Sequence, residues 1–203
     1  MITFLITACN ENKELQENLK FVNVFKEKED EVLVLLDEDK ADNEIIESAK
    51  QKSDRVIFKK LNRDFSSFKN FGIKQAKYDY VLHLDADEII NAATITIIKN
   101  SIRQNKLISG IHVPRINIVN GASESDLNSF NFSFNEKGWI NWPDYQPRFI
   151  NREAGIYFVN AVHETFCDHS KTVFLEPVPY LAILHIKDIN KQKEQNKFYE
   201  TIN

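Results

Sequence analysis

Four short apolar runs alternate with amphipathic segments across residues 2–102, and that alternation restricts the chain to one kind of architecture. Ile2 to Thr7, a nearly continuous apolar run, reads as a strand buried on both faces, and Val32 to Leu36, the shorter Arg55-Val56-Ile57-Phe58 and Tyr80 to Leu84 read as the strands that follow it. Leu15, Leu19, Val22 and Phe25 recur at spacings of four, three and three, which puts them on one face of a helix. Ile45, Ile46 and Ala49 give a second helix, and Phe68, Ile73 and Ala76 a third with Ser66 or Ser67 as its cap. Ile95, Ile98 and Ile102 give a fourth, opened by Asn91. Strands alternating with helices build βαβ units, so the expected fold is α/β: a mostly parallel, Rossmann-like central sheet with helices on both faces.

Beyond Gly110 the alternation stops. His112-Val113-Pro114, Ile116 to Val119, Tyr157 to Val159 and Leu181 to Leu184 read as strands that continue the same sheet. A polar stretch runs from Asn120-Gly121 to Asn135, an aromatic segment from Trp139 to Phe149, and the tail from Asp188 reads as a solvated helix. A chain of 203 residues has room for one domain of ordinary size, and its 15 Phe, 6 Tyr and 2 Trp can fill the core.

Composition removes several classes of function. Lys and Arg total 26 against 30 for Asp and Glu, so no basic excess is available to hold a nucleic-acid backbone. The longest apolar runs, Val32 to Leu36 and Tyr180 to Leu184, are far short of the ~20 residues that span a bilayer, so no transmembrane segment is expected. Met1-Ile2-Thr3-Phe4-Leu5 lacks the charged start of a secretory signal, and Cys9 and Cys167 make no disulfide framework, so a cytoplasmic location is expected. None of the five glycines is placed to form G-x-G-x-x-G or a P-loop, which excludes Rossmann dehydrogenases and P-loop NTPases.

The segment Val81-Leu82-His83-Leu84-Asp85-Ala86-Asp87-Glu88 is an apolar strand ending in three carboxylates. In open α/β sheets ligands bind beyond the carboxyl ends of the strands. Asp85 and Asp87 fall on one side of an extended segment and can face one hard cation such as Mg²⁺ or Mn²⁺; an acidic turn is the plainer reading. Asp37 ends the second strand at the same edge, within reach of a ribose or base, and Cys9-Asn10-Glu11 follows the first, where Asn10 is also a helix-cap candidate. Without a glycine loop a diphosphate needs cations, for which Lys69, Arg148 and Lys187 are the candidates. Trp139, Trp142 and Tyr145 surround Pro143 and Asp144, and sugars pack their apolar faces on such rings. His163 beside Glu164, and His185 near Lys187, are histidines placed next to charge.

Assembled, these residues resemble the inverting nucleotide-sugar glycosyltransferases of family 2, which have the GT-A fold. Ile6-Thr7-Ala8-Cys9-Asn10-Glu11 stands where that family commonly has I-P-T-Y-N-E, and Leu36-Asp37 through Asp42-Asn43 is similar to its V-D-x-x-S-x-D segment. Phe65 through Lys69-Asn70-Phe71-Gly72 looks like F-x-x-x-[RK]-N-x-G, and Leu84-Asp85-Ala86-Asp87-Glu88 is the metal motif in its L-D-A-D-E form. Trp142-Pro143-Asp144-Tyr145-Gln146-Pro147-Arg148-Phe149, with Val162-His163-Glu164 and His185, is similar to the bacterial lipopolysaccharide-core glucosyltransferase subgroup.

The resemblance implies a single glycosyltransferase domain over 1–203, with a nucleotide-sugar-binding half (1–108), an acceptor-binding half (109–190) and a C-terminal helix (191–203). It implies a nucleotide-diphosphate sugar as donor, a UDP-sugar first, and a saccharide or glycolipid as acceptor, with peripheral contact to the inner face of a membrane. Ala8, Cys9, Asn10, Glu11, Asp37, Lys69, Asn70, Asp85 and Ala86 would line the donor. Asp85, Asp87 and His185 would hold Mn²⁺ or Mg²⁺, and Trp139, Trp142, Tyr145, Arg148 and His163 would meet the acceptor. An inverting displacement needs a carboxylate to take the acceptor hydroxyl proton; Glu164 is the expected base and Asp144 the reserve. The rivals are a haloacid-dehalogenase-type phosphatase, whose Asp-x-Asp normally closes the first strand, and a non-catalytic sugar-binding module.

Overall fold

The computed structural model describes residues 1–104, 108–123, 126, 130 and 132–201. The expected alternation is present: β1 (Thr3–Ala8), α1 (Asn12–Phe25), β2 (Glu31–Asp37), α2 (Asn43–Lys52), β3 (Arg55–Lys59), α3 (Phe65–Gln75) and β4 (Tyr80–Asp85). Then follow β5 (Glu88–Ile89), α4 (Ala92–Gln104), β6 (Gly110–Val113), β7 (Arg115–Asn120), β8 (Gln146–Asn151), β9 (Phe158–Val159), β10 (Thr165–Phe166), β11 (Thr172–Phe174), β12 (Ile183–Asp188) and α5 (Ile189–Glu200).

The central sheet has the order β11-β6-β8-β4-β1-β2-β3. Strands β4, β1, β2 and β3 run parallel, and β8 is antiparallel to both its neighbours. Alternate residues of β1 go to opposite faces, as strand geometry requires. Phe4 and Ile6 pack with Leu15, Leu19 and Val22 of α1, Ile45 of α2 and Ile95 and Ile98 of α4. Leu5 packs on the other face with Phe68 and Ile73 of α3 and with Phe158 and Phe166. Helix α3 comes close to β1 because residue 72 is glycine: a Cβ there would lie 2.9 Å from Leu5 Cδ1.

Three expectations need correction. Asp64, not Ser66 or Ser67, caps α3, its Oδ1 accepting from Ser67 N at 2.9 Å. The second half does not simply continue the sheet: β6, β8 and β11 join it, whereas β7 and β12 form a separate sheet with β5 in the order β5-β12-β7. The reason lies in β7, where Arg115 and Asn117 alternate with Ile116 and Ile118, a pattern for a strand with only one apolar face. The tail helix is not free in solvent, since Phe65 of α3 meets Phe198 and Tyr199 of α5 edge-on at 6.3 and 6.0 Å. Asn91 does open α4, accepting from Thr94 N at 3.1 Å. Part of the polar stretch before Asn135, and residues 202–203, lie outside the described residues.

Candidate active site

Strand order reverses at β1, which has β2 on one side and β4 on the other. A crevice opens beyond the carboxyl ends at such a switch point. Thr7 of β1 stands in register with Asp85 of β4, and Ala86 N donates to Thr7 O at 2.9 Å. A cleft of about 590 Å³ opens there, lined at the strand ends by Ala8, Cys9, Glu11, Asp85, Ala86 and Asp87. Lys69, Asp144, Tyr145, Arg148, His163, Glu164, His185 and Lys187 complete much of its wall, and Gln195 and Tyr199 of α5 cover one side.

Asp85 is held from every direction. Its Oδ1 accepts from Thr7 Oγ1 at 2.9 Å and stands 3.4 Å from Lys69 Nζ, while its Oδ2 accepts from Arg148 Nη2 at 3.0 Å. Burial would raise this carboxyl, but the Lys69 and Arg148 charges outweigh burial and hold it well below the usual range. Behind it, His83 is fully buried. Its Nε2–H donates to Thr7 Oγ1 at 3.0 Å, because the Thr7 hydroxyl proton is already given to Asp85; Nδ1 has no partner. Burial, against the pull of Asp85, pushes the imidazole down to about 3, so it is neutral.

Arg148, only 2% exposed, forks onto Glu88: Nε donates to Oε2 at 2.8 Å and Nη2 to Oε1 at 2.6 Å. Arg115 Nη1 adds a third donor to Glu88 at 3.0 Å. Removing one partner from a buried pair of this kind costs about 3–5 kcal/mol. Arg148 thus lines the cleft with its fork already engaged, and it braces the Asp-x-Asp-Glu turn. Neither Glu88 nor Arg115 had a role by sequence; the polar-apolar alternation of β7 was the signal for Arg115.

On the Asp87 flank, β5, β12 and β7 set Glu88, His185 and Asn117 side by side. Asn117 Nδ2 donates to Asp144 Oδ2 at 2.5 Å, which turns Asn117 Oδ1 toward His185 Nδ1 at 2.7 Å. An amide oxygen only accepts, so Nδ1 carries the proton and the Nε2 lone pair faces Asp87 Oδ2 at 3.3 Å. Burial lowers His185 and outweighs the pull of Asp87, so the ring is neutral. Lys187 Nζ stands 3.5 Å from Asp87 Oδ2. With His185 neutral, Lys187 is the cation that offsets Asp87. Two acceptors 3.3 Å apart with no proton between them make a donor set that fits a divalent ion of the Mg²⁺ or Mn²⁺ type. Among the described residues no three His, Cys, Asp or Glu side chains converge as a complete metal cage.

Glu164 lies on the Asp85 flank, just before β10. Lys69 Nζ is 2.9 Å from its Oε1, and that buried oxygen receives no hydrogen bond of good geometry. Asp144 differs: its Oδ2 accepts from Arg115 Nε at 2.9 Å and from Asn117, and its Oδ1 from Gln146 Nε2 at 3.0 Å. Both of its oxygens are engaged.

Several expected site residues stand elsewhere. Asn70 bonds the backbone of Phe158 in both directions, at 2.8 and 2.9 Å, and so ties the β9–β10 hairpin that carries Glu164 to α3. Asp37 is 3% exposed and accepts from Leu61 N at 3.1 Å, outside the cleft lining. Asn10 is exposed and caps nothing, and the backbone N–H groups of Cys9 and Asn10 both donate to Glu11 Oε2. The Cys9 thiol is pushed up to about 12 by burial and the Glu11 charge. Trp139 and Trp142 line a second cleft. For Asn70 and Asp37 the cause is the same: a backbone group distant in sequence satisfies the side chain.

Comparison with known proteins bears on the family and the fold. Poly-beta-1,6-N-acetyl-D-glucosamine synthase of Staphylococcus aureus (strain COL) is 38% identical over 120 residues, 57% of this chain and 29% of that protein. The Staphylococcus epidermidis synthase is 37% identical over 93 residues, 44% of this chain and 22% of its own length. This chain therefore spans under a third of the curated relatives it matches. The structure of S. aureus TarS 1-349 in complex with UDP superposes with a TM-score of 0.60 at 16% identity, over 99% of this chain and 64% of that one. The complex of TarS 1-349 with UDP-GlcNAc gives 0.58 at 16% identity, over 92% and 58%. These likenesses establish the GT-A-type α/β fold. The sequence profile described as "Glycosyl transferase family 2" matches residues 3–166, and the chain belongs to that family.

Proposed function

We propose that this chain transfers a sugar from a nucleotide-diphosphate donor, a UDP-sugar, to a saccharide or glycolipid acceptor with inversion, using a divalent ion. The observation that carries the reading is His185 Nε2 standing 3.3 Å from Asp87 Oδ2 at the switch point. Asp87 and His185 would hold the ion, which would offset the charge that builds on the departing diphosphate. Lys187 adds a cation on the same flank, while Asp85, braced by Arg148, is a ribose contact more than a ligand. Glu164 receives the acceptor proton, and Lys69, 2.9 Å from its Oε1, holds the carboxylate in place. The similarity to the poly-beta-1,6-N-acetyl-D-glucosamine synthase and to the TarS 1-349 complex with UDP-GlcNAc supports UDP-GlcNAc as the first donor to try. The same reading takes 1–108 as the donor half, 109–190 as the acceptor half and the C-terminal helix as a further wall of the cleft, which Gln195 and Tyr199 line. We further propose a cytoplasmic protein that meets its acceptor at the membrane face; among the described residues no helix is long and apolar enough to cross a membrane.

A phosphatase reading is not supported, since both oxygens of Asp85 are already engaged by Thr7, Lys69 and Arg148. The test is a thermal-shift panel of UDP, GDP, dTDP and CDP sugars with and without Mn²⁺, followed by nucleotide release on adding oligosaccharide. A single donor class that raises the melting temperature only with Mn²⁺, and turns over to the inverted product, is the expected result. Binding without turnover for any oligosaccharide would leave a sugar-binding module and refute transfer.

A further inference from the structure

We infer that the second cleft is a carbohydrate subsite for a distal unit of an extended acceptor glycan; this deepens the transferase reading and rests on it. The cleft, about 500 Å³, is lined by Phe134, Trp139, Trp142, Pro177 and Pro179, with Lys137 and Glu136 among its polar groups. Trp139 and Trp142 meet edge to face at 5.0 Å between centroids. Rings of this kind offer a stacking surface to the C–H faces of sugars, while neighbouring amide, carboxylate and ammonium groups suit hydroxyls.

The occupant is chosen by continuity. One segment serves both clefts: Ile140, Asn141 and Asp144 line the catalytic one, whereas Trp139 and Trp142 line the second. Four residues span at most about 14 Å, so one oligosaccharide reaches from the catalytic cleft across this turn to the tryptophans. The turn is fixed in advance, because Ile140 N donates to Asn117 O at 3.0 Å, Asn141 N to Ser133 O at 2.9 Å and Arg115 N to Pro143 O at 3.0 Å. A pre-set aromatic platform costs little ordering when a ligand arrives. An anionic bilayer fits less well: Glu136 stands in the cleft and the chain carries a net charge of -4. The sequence reading placed the two tryptophans at the acceptor; the structure moves them from the reacting sugar to a more distant one.

The protein has 2 Trp, both in this cleft, so intrinsic emission reports on it directly. The probes are the hexasaccharide that the enzyme elongates in the turnover screen, starting with β-1,6-linked N-acetylglucosamine, and the matching disaccharide. The hexasaccharide should change tryptophan emission saturably and the disaccharide should not. The hexasaccharide should also have the lower KM, and Trp142→Ala should raise its KM about tenfold, narrowing the gap between the two acceptors. Unchanged emission at concentrations where the same hexasaccharide is elongated would overturn the subsite. So would an emission shift with phosphatidylglycerol vesicles and none with sugar. Absence of donor turnover with any oligosaccharide is a different failure, that of the transferase reading itself.

Discussion

Glu164→Gln and Asp144→Asn form a crossed pair that separates the proposed base from the residue that would orient the proposed metal site. Glu164 is held by an ion pair to Lys69 without a hydrogen bond of good geometry, whereas both oxygens of Asp144 are occupied by Arg115, Asn117 and Gln146. Gln at 164 keeps the shape and removes the basicity, so turnover should fall roughly 10²–10⁴-fold with Mn²⁺ and UDP affinity retained. Asp144→Asn acts through a chain of contacts. It weakens the anchor of Asn117, whose Oδ1 fixes His185 Nδ1, which in turn aims Nε2 at Asp87. Loss of such an outer partner typically weakens metal binding about 10–100-fold. Loss of charged hydrogen bonds at a partly exposed carboxylate should also cost about 1.5–3 kcal/mol of stability. The assay is calorimetry of Mn²⁺ in the presence of UDP, alongside single-turnover transfer at saturating acceptor. Should Asp144→Asn bind Mn²⁺ like the parent and still lose turnover a hundredfold, with Glu164→Gln active, the base would be Asp144 and the reasoning from engaged oxygens would be wrong.

Chelation with EDTA should weaken calorimetric binding of whichever nucleotide sugar binds, because Asp85 and Asp87 would otherwise repel the diphosphate; equal affinity would remove the metal from the reading. Acid should destabilise the fold: His83 is neutral in the native state down to about pH 3 but protonates near 6.5 when unfolded, so stability is lost as pH falls between these values, by roughly 1.4 kcal/mol per unit. Urea unfolding at pH 7 and pH 5 would check this, with His83→Gln expected to flatten the slope. Gly72→Ala places a Cβ 2.9 Å from two buried Leu5 methyls and 3.1 Å from Leu35 Cδ2, so it should cost about 1–3 kcal/mol, measured as a lower denaturant midpoint; an unchanged midpoint would mean that α3 is free to shift.

What the sequence determined by itself was the part governed by near neighbours. Continuous apolar runs and helical spacings produced β1 to β4 and α1 to α4, with β1, β2 and β4 buried and β3 left as the half-exposed edge strand. The edge where Asp85, Asp87 and the Ala8–Glu11 turn meet followed from chain order, since carboxyl ends of parallel strands share one side of a sheet. The tertiary structure alone decided which polar groups are already satisfied. Asn70 and Asp37 were expected to meet the ligand, but Phe158 and Leu61, remote along the chain, take their hydrogen bonds outside the cleft lining. Glu88, Arg115 and Asn117 gained roles because β5, β12 and β7 pair into a second sheet, and α5 covered the cleft through Phe198 and Tyr199 despite a pattern that reads as solvated. Local pattern reports which side chains must leave water; only the assembled chain decides which partner each buried polar atom finds, and that choice separates a binding group from a brace.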